Sequence, residues 1–164
     1  MSSADAATAP FTAGPEHEHL RRFVGRWTGT VALWLDPSAP PEETTATAQV
    51  DALLGGRFVR VEYAGVAMGT PNAGQYLLAY ERDEHRYTAA WIDSFHTGTA
   101  MMISTAPGLV EDELSVLGSY VAGDQRWGWR TSFRATADAL VIATFNITPD
   151  GAAARAFEMR FTRA

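Results

Sequence analysis

The chain reads as an all-β protein, a single antiparallel barrel of about ten strands with a short N-terminal helix capping one end. Three observations predict this. Short segments of alternating apolar and polar residues follow one another along the whole length, separated by glycine, proline and aspartate turns. No connection between them is long enough for the crossover that a parallel pair needs. Only one stretch, near the start, has helical spacing. With 164 residues and 46% hydrophobic residues, the chain is one domain with a core of its own. Residues 1–14 are expected to form a flexible tail and residues 15–164 the barrel.

The elements follow in order. Gly14-Pro15 places proline at a first helical position, and Leu20, Phe23 and Val24 then fall on one apolar face. Gly25 is expected to end a helix of two to three turns, too short to stand without docking. Trp27, Gly29, Val31, Leu33 and Leu35 share a face of the first strand, and a loop containing Pro37, Pro40 and Pro41 follows. Thr44 to Leu53 is the second strand. Leu54-Gly55-Gly56 turns into Arg57 to Gly65, Gly69 to Asn72 is a turn, and Gln75 to Arg82 is the next strand. After the polar turn Asp83 to Arg86, Tyr87, Ala89, Trp91 and Asp93 alternate. Thr97-Gly98 leads into Thr99, Met101, Ile103 and Thr105. Leu114 and Val116, Trp127 to Phe133, Leu140 to Thr148, and Arg155 to Phe161 supply the remaining strands, the last two separated by Pro149-Asp150-Gly151.

Period-two alternation assigns the faces. Arg60, Glu62, Arg126, Arg130, Arg134, Glu158 and Arg160 are expected in water. Val59, Val61, Tyr63, Trp127, Trp129, Phe133, Phe157, Met159 and Phe161 are expected inside. Arg155 is read onto the same face as Phe157. A barrel of this size leaves room for a cavity. Tyr63, Tyr87, Trp91, Met101, Trp127, Trp129 and Phe157 are its expected apolar lining, the kind of wall that suits a small-molecule site.

Net charge is −6, which argues against nucleic acid and against an acidic membrane surface as partners. There are 0 cysteines, so disulfides, thiol catalysis and cysteine-ligated metals are excluded. The N-terminal residues lack a basic region followed by an apolar run, and no apolar run reaches transmembrane length, so a cytoplasmic location is expected. Glu16-His17-Glu18-His19 invites a metal, but histidines two apart on a helix diverge. A solvated helix start is the plainer reading, and no metal site is expected. Phosphate loops, dinucleotide fingerprints and a nucleophilic serine motif are absent, so no cofactor is assigned.

The helix from His17 to Leu20, Gly25-Arg26-Trp27, Leu54-Gly55-Gly56-Arg57-Phe58, Trp91 to Ser94 with Thr97-Gly98, and Phe161-Thr162-Arg163 occur in an order that resembles a bacterial family catalogued as a domain of unknown function with a lipocalin-like (calycin) barrel. That resemblance implies ten strands and a small-molecule cavity, and no agreed activity. Gly25, Trp27 and Gly29 also resemble the opening of the nitrobindins, which are haem-binding barrels. The late histidine that ligates haem there has no counterpart here, since the last histidine is His96. In the wider lipocalin-like group an arginine of the final strand stacks on the opening tryptophan, which implies Arg163 on Trp27.

Asp93, Ser94 and His96 follow Trp91 at a strand end. A carboxylate with inward parity in an apolar cavity has its pKa raised, and with His96 it makes a candidate acid–base pair. The plainer reading is that Asp93 caps the turn into Thr97-Gly98 and His96 is solvated. Function is accordingly expected to be binding of a small, largely apolar or aromatic molecule inside the barrel. The alternative is an enzyme of secondary metabolism, a cyclase, isomerase or lyase, using Asp93 and His96, and a haem-binding barrel is a third reading. Homodimerisation through an outer face carrying Ile92 and Met102 is a further expectation.

Overall fold

The N-terminal helix forms where the sequence places it, but it is short. In the computed structural model, which describes residues 11–164, α1 is Pro15–Arg21. Gly14 caps it, and the His17 imidazole takes the part of a capping side chain by accepting the Gly14 N–H through Nδ1 at 2.9 Å. Arg22 ends the helix, three residues before Gly25, and Gly25 instead opens the first strand. The expected tail lies mostly outside the described residues. Its last part is tied down, because the Arg82 guanidinium donates to the Thr12 carbonyl at 2.8 Å.

Ten strands follow: β1 Gly25–Leu33, β2 Glu42–Leu53, β3 Phe58–Ala67, β4 Thr70–Glu81, β5 Arg86–Asp93, β6 Met102–Ala106, β7 Leu114–Ala122, β8 Gln125–Ala135, β9 Ala139–Ile147 and β10 Ala153–Arg163. Each pairs antiparallel with the next, and β1 pairs with β10 to close the barrel. The meander gives the barrel two ends. One carries α1 together with the β2–β3, β4–β5, β6–β7 and β8–β9 turns. The other, the mouth, carries residues 34–41, 68–69, 94–101, 123–124 and 148–152.

The helix end is sealed. Leu20 and Phe23 are buried, and the Trp27 indole donates to the Phe23 carbonyl at 2.9 Å. The Arg163 guanidinium lies 4.2 Å from the Trp27 ring centroid and donates to the Val24 and Ala137 carbonyls, the stacking that the lipocalin-like resemblance implies. Gly25 makes this possible: its φ is +147°, and an added Cβ would stand 2.2 Å from Arg163 Nη1. His17 and His19 are buried here, not solvated. His17 meets Tyr80 edge-on, and His19 meets Phe23 and Tyr87. Among the described residues no cluster of three or more His, Asp or Glu side chains is placed to hold a metal. No described helix is long and apolar enough to cross a membrane.

Several local expectations change. Turning at Met68–Gly69 is tighter than expected, and Pro71 and Asn72 belong to β4; proline is tolerated at the start of a strand. In β6 the inward set is Met102, Ser104 and Ala106. Ile103 is exposed and Met101 lies in the loop, so Met102 is not part of an outer apolar face. Ile92 does face outward. In β10 a bulge at Ala156 shifts the phase: Arg155 pairs with Phe145 and Phe157 with Thr144. Arg155 therefore faces outward although Phe157 faces in. The Thr144 hydroxyl holds the bulge by accepting from the Phe157 N–H and donating to its carbonyl, both at 3.0 Å. Glu158 lies on the outer wall as expected but is not in water, because Arg155 and Arg160 cover it at 3.1 and 2.5 Å.

Candidate functional site at the barrel mouth

The mouth is closed over by residues 94–101, and Asp93 organises them. Its Oδ1 accepts the Phe95 N–H at 2.7 Å and the His96 N–H, and the His96 ring Nδ1 stands 3.3 Å away. Its backbone is fastened to Thr97, whose hydroxyl accepts the Asp93 N–H at 2.8 Å and donates to the Asp93 carbonyl at 3.0 Å. The second oxygen, Oδ2, accepts the Tyr63 hydroxyl at 2.8 Å and the Asn72 amide at 3.4 Å. Tyr63 in turn accepts the Trp91 indole N–H at 2.9 Å. A chain of hydrogen bonds thus runs from the interior of β5 through Tyr63 to Asp93 and on to the loop. Gly74, beside it on β4, leaves the necessary space: a Cβ there would stand 2.2 Å from the Tyr63 hydroxyl.

This network sets the charges. Burial pushes the Asp93 carboxyl up, but the hydrogen bonds and charge of His96, with the Tyr63 hydroxyl, outweigh it and hold the pKa at about 2. The sequence-based expectation of a raised pKa is corrected: the side chain is fully buried, yet a buried carboxylate with several donors stays ionised. Burial, with Tyr76 and Asp93 nearby, pushes the Tyr63 phenol well above its usual range, so it remains a neutral donor. The His96 ring turns Nδ1 toward this ionised carboxylate, at a distance where an Nδ1–H would donate to it, and Nε2 is the ring's other polar atom.

His96 is not a solvated loop residue. Its side chain is 17% exposed and sits against the rings of Phe157, Trp129 and Trp91 at 5.0, 5.5 and 5.6 Å. Behind it, Trp91 stacks between Trp129 and Tyr76, at 5.1 and 5.6 Å. The ring divides the mouth into two spaces. The inner crevice, bounded by Val31, Ala46, Tyr63, Phe157 and Met159, holds only about 20 Å³, roughly one water. The outer cleft holds about 510 Å³ and is lined by Trp91, His96, Met101, Met102, Tyr120, Trp129 and Asn146, among others. Tyr120 donates to Asn146 Oδ1 at 2.7 Å within it. The buried Trp129 indole N–H has no hydrogen-bond partner among the described residues.

Of the expected lining, Trp91, Met101 and Trp129 meet in the outer cleft, while Tyr63 and Phe157 line the inner crevice. Trp127 stands half-buried opposite Tyr120 at the rim, outside the cleft wall. Tyr87 is separated from the rest. It lies at the helix end, donates to the Glu16 carbonyl at 3.3 Å, and its hydroxyl is pushed up to about 12 by burial with Glu16 and Tyr80 nearby. Asn72, Tyr120 and Asn146 belong to the site without having been singled out, and Met102, expected on the outer face, lines the cleft instead. Asn146 carried a signal, an amide in phase with Leu140, Ile142 and Thr144 on the inner face of β9.

The residues present do not fit the haem that the nitrobindin resemblance implies. The only histidine at the mouth among the described residues is held by Asp93 through Nδ1 and wedged among three aromatic rings, with about 20 Å³ of space beneath it.

Among solved structures, Rv2717c from M. tuberculosis is similar in fold, with a TM-score of 0.60 and 16% identity over 92% of this chain and 98% of that one. A protein of unknown function from the DUF3598 family of Nostoc punctiforme PCC 73102 aligns over 93% of this chain and 100% of its own, at 9% identity and a TM-score of 0.29. No curated protein matches the sequence. The family model described as Protein of unknown function (DUF1579) matches residues 12–163, and the chain belongs to that family.

Proposed function

We propose that this protein binds a small, largely apolar or aromatic molecule at the mouth of its barrel. The reading is carried by the cleft of about 510 Å³, which falls within the size of small-molecule sites and combines indole and thioether walls with a few polar groups. Burial against Trp91, Trp129 and Met101 supplies affinity. The Trp129 N–H, the Asn146 amide and the His96 ring supply orientation. A flat molecule with one hydrogen-bond acceptor suits that set, because an unpartnered buried indole N–H is costly until an acceptor meets it. The ligand occupies the mouth and not the deeper barrel, which side chains fill.

Fluorescence titration with the neutral probe N-phenyl-1-naphthylamine tests this. Enhancement is expected with the native chain. Met101→Asp changes an exposed rim residue, 62% accessible, and is expected to weaken probe binding at least about fivefold without changing the melting temperature. Absence of enhancement, or equal binding by the variant, would contradict the proposal.

A second reading, catalysis in the same cleft, has one observation in its favour: Asp93 orients the His96 imidazole as an acidic residue orients a catalytic histidine. His96 is then the acid–base group and Asp93 its positioning residue. His96→Gln is expected to retain probe binding and to abolish any mass change of a molecule that co-purifies with the native chain.

A further inference from the structure

The outer wall of the barrel carries a groove on the β8–β9–β10 face, apart from the mouth. Its origin is the register. Arg130, Phe145 and Arg155 lie side by side across the three strands, as do Ser132, Ala143 and Glu158, and then Arg134, Val141 and Arg160. Arginines thus occupy the four corners of a square whose middle rung carries the small Ser132 and Ala143 beside Glu158. Neighbouring strands lie about 4.8 Å apart and residues rise about 3.4 Å each, so the corners are spaced by roughly 10 Å across the strands and 14 Å along them. The floor of Ser132, Ala143 and Ser115 is low and the corner side chains are long, which leaves a groove of about 600 Å³.

The bulge at Ala156 builds one edge of the square. Without the phase shift, Arg155 would point with Phe157 into the barrel. Charges in the groove run against those of the molecule. The chain carries 19 acidic and 13 basic side chains, all of the latter arginine, yet here four arginines meet two glutamates. Glu158 is nearly buried and is shared by Arg155 and Arg160. Glu113 pairs with Arg134 at 3.0 Å. Arg130 is half-buried, lies 4.5 Å from the Phe145 centroid, and has no carboxylate partner among the described residues. The carboxylates hold three guanidiniums in place and leave a surplus of positive charge, with Arg130 free to accept a new partner.

The geometry points to a binding site for a small oxyanion with two or more charged groups, phosphate or carboxylate. Guanidinium forks bind either group in pairs of parallel hydrogen bonds, and the corner spacing calls for an extended anion. This site is independent of the mouth cleft.

Calorimetric titration of the full chain with inorganic triphosphate, and separately with citrate, at low salt provides the test. Binding of at least one is expected. Arg130→Gln is expected to weaken it about fivefold or more, and Arg134→Gln also to weaken it. Arg126→Gln removes the same charge from the same strand outside the square and should leave affinity unchanged, with melting curves confirming the fold of each variant. Binding of triphosphate alone or of citrate alone would distinguish a phosphorylated ligand from a polycarboxylate. No heat with either anion, or equal weakening by Arg126→Gln and Arg130→Gln, would overturn the site.

Discussion

Tyr63 links the interior of the barrel to its mouth through a single hydroxyl. It accepts from Trp91 and donates to Asp93, and all three groups are buried. Tyr63→Phe keeps the ring and leaves an indole N–H and a carboxylate oxygen short of a partner. A loss of about 1–3 kcal/mol in urea unfolding is expected; a change below about 0.5 kcal/mol would show that water replaces the hydroxyl. Asp93 gives a pH dependence. Its folded pKa of about 2 lies below the ordinary 3.8, so the folded chain binds fewer protons in that window. Its stabilisation is complete above about pH 4 and is lost as the pH falls toward 2. Asp93→Asn is expected to flatten the stability profile there by roughly 1–2 kcal/mol relative to the native chain, measured by urea midpoints. The inward parity of Asp93 was readable from Tyr87 and Trp91, but its ionisation was not. Burial is visible in alternation, whereas the donors that reverse its effect come from β3, β4 and the following loop.

Helix α1 and the strand after it show how an element depends on partners distant in sequence. His19 is buried against Phe23 and Tyr87; burial and the nearby Arg22 lower its pKa, against a smaller opposite pull from Asp112. A base with a lowered folded pKa stabilises the fold above its unfolded value, near 6.5, and that contribution fades as the pH falls below it. His19→Gln is expected to remove part of the stability lost by the native chain between about pH 7.5 and pH 5, read by thermal melts. A profile unchanged by the substitution would mean that His19 titrates freely. Gly25→Ala places a Cβ against Arg163 at a positive φ, and a loss of about 1–3 kcal/mol is expected, together with loss of the Arg163–Trp27 stacking. Glycine and tryptophan in this opening were legible from sequence. The burial of His17 and His19 was not, since a run of glutamate and histidine looks solvated until the barrel end arrives to cover it. The same holds for Arg155: alternation carries its phase across the strand, and one extra residue at Ala156 reverses it without any glycine to mark the bulge.

The whole molecule is a barrel with one sealed end, a filled middle and a cleft at the mouth. Strand number and antiparallel order were legible because turn residues punctuate nearly every strand. Where the space would lie was not legible: inward parity identifies side chains facing the axis but not whether they fill it. Tyr76, Trp91, Trp129 and Phe157 do fill it, and His96 completes the stack. The central claim is that a small apolar molecule binds in the cleft outside that stack. The 5 tryptophans report on it directly through their indole N–H resonances. Two-dimensional NMR of the chain titrated with N-phenyl-1-naphthylamine is expected to shift the Trp129 signal, while Trp27, bonded to the Phe23 carbonyl at the sealed end, stays fixed. A titration that leaves Trp129 unmoved, or moves Trp27 equally, would contradict a site at the mouth.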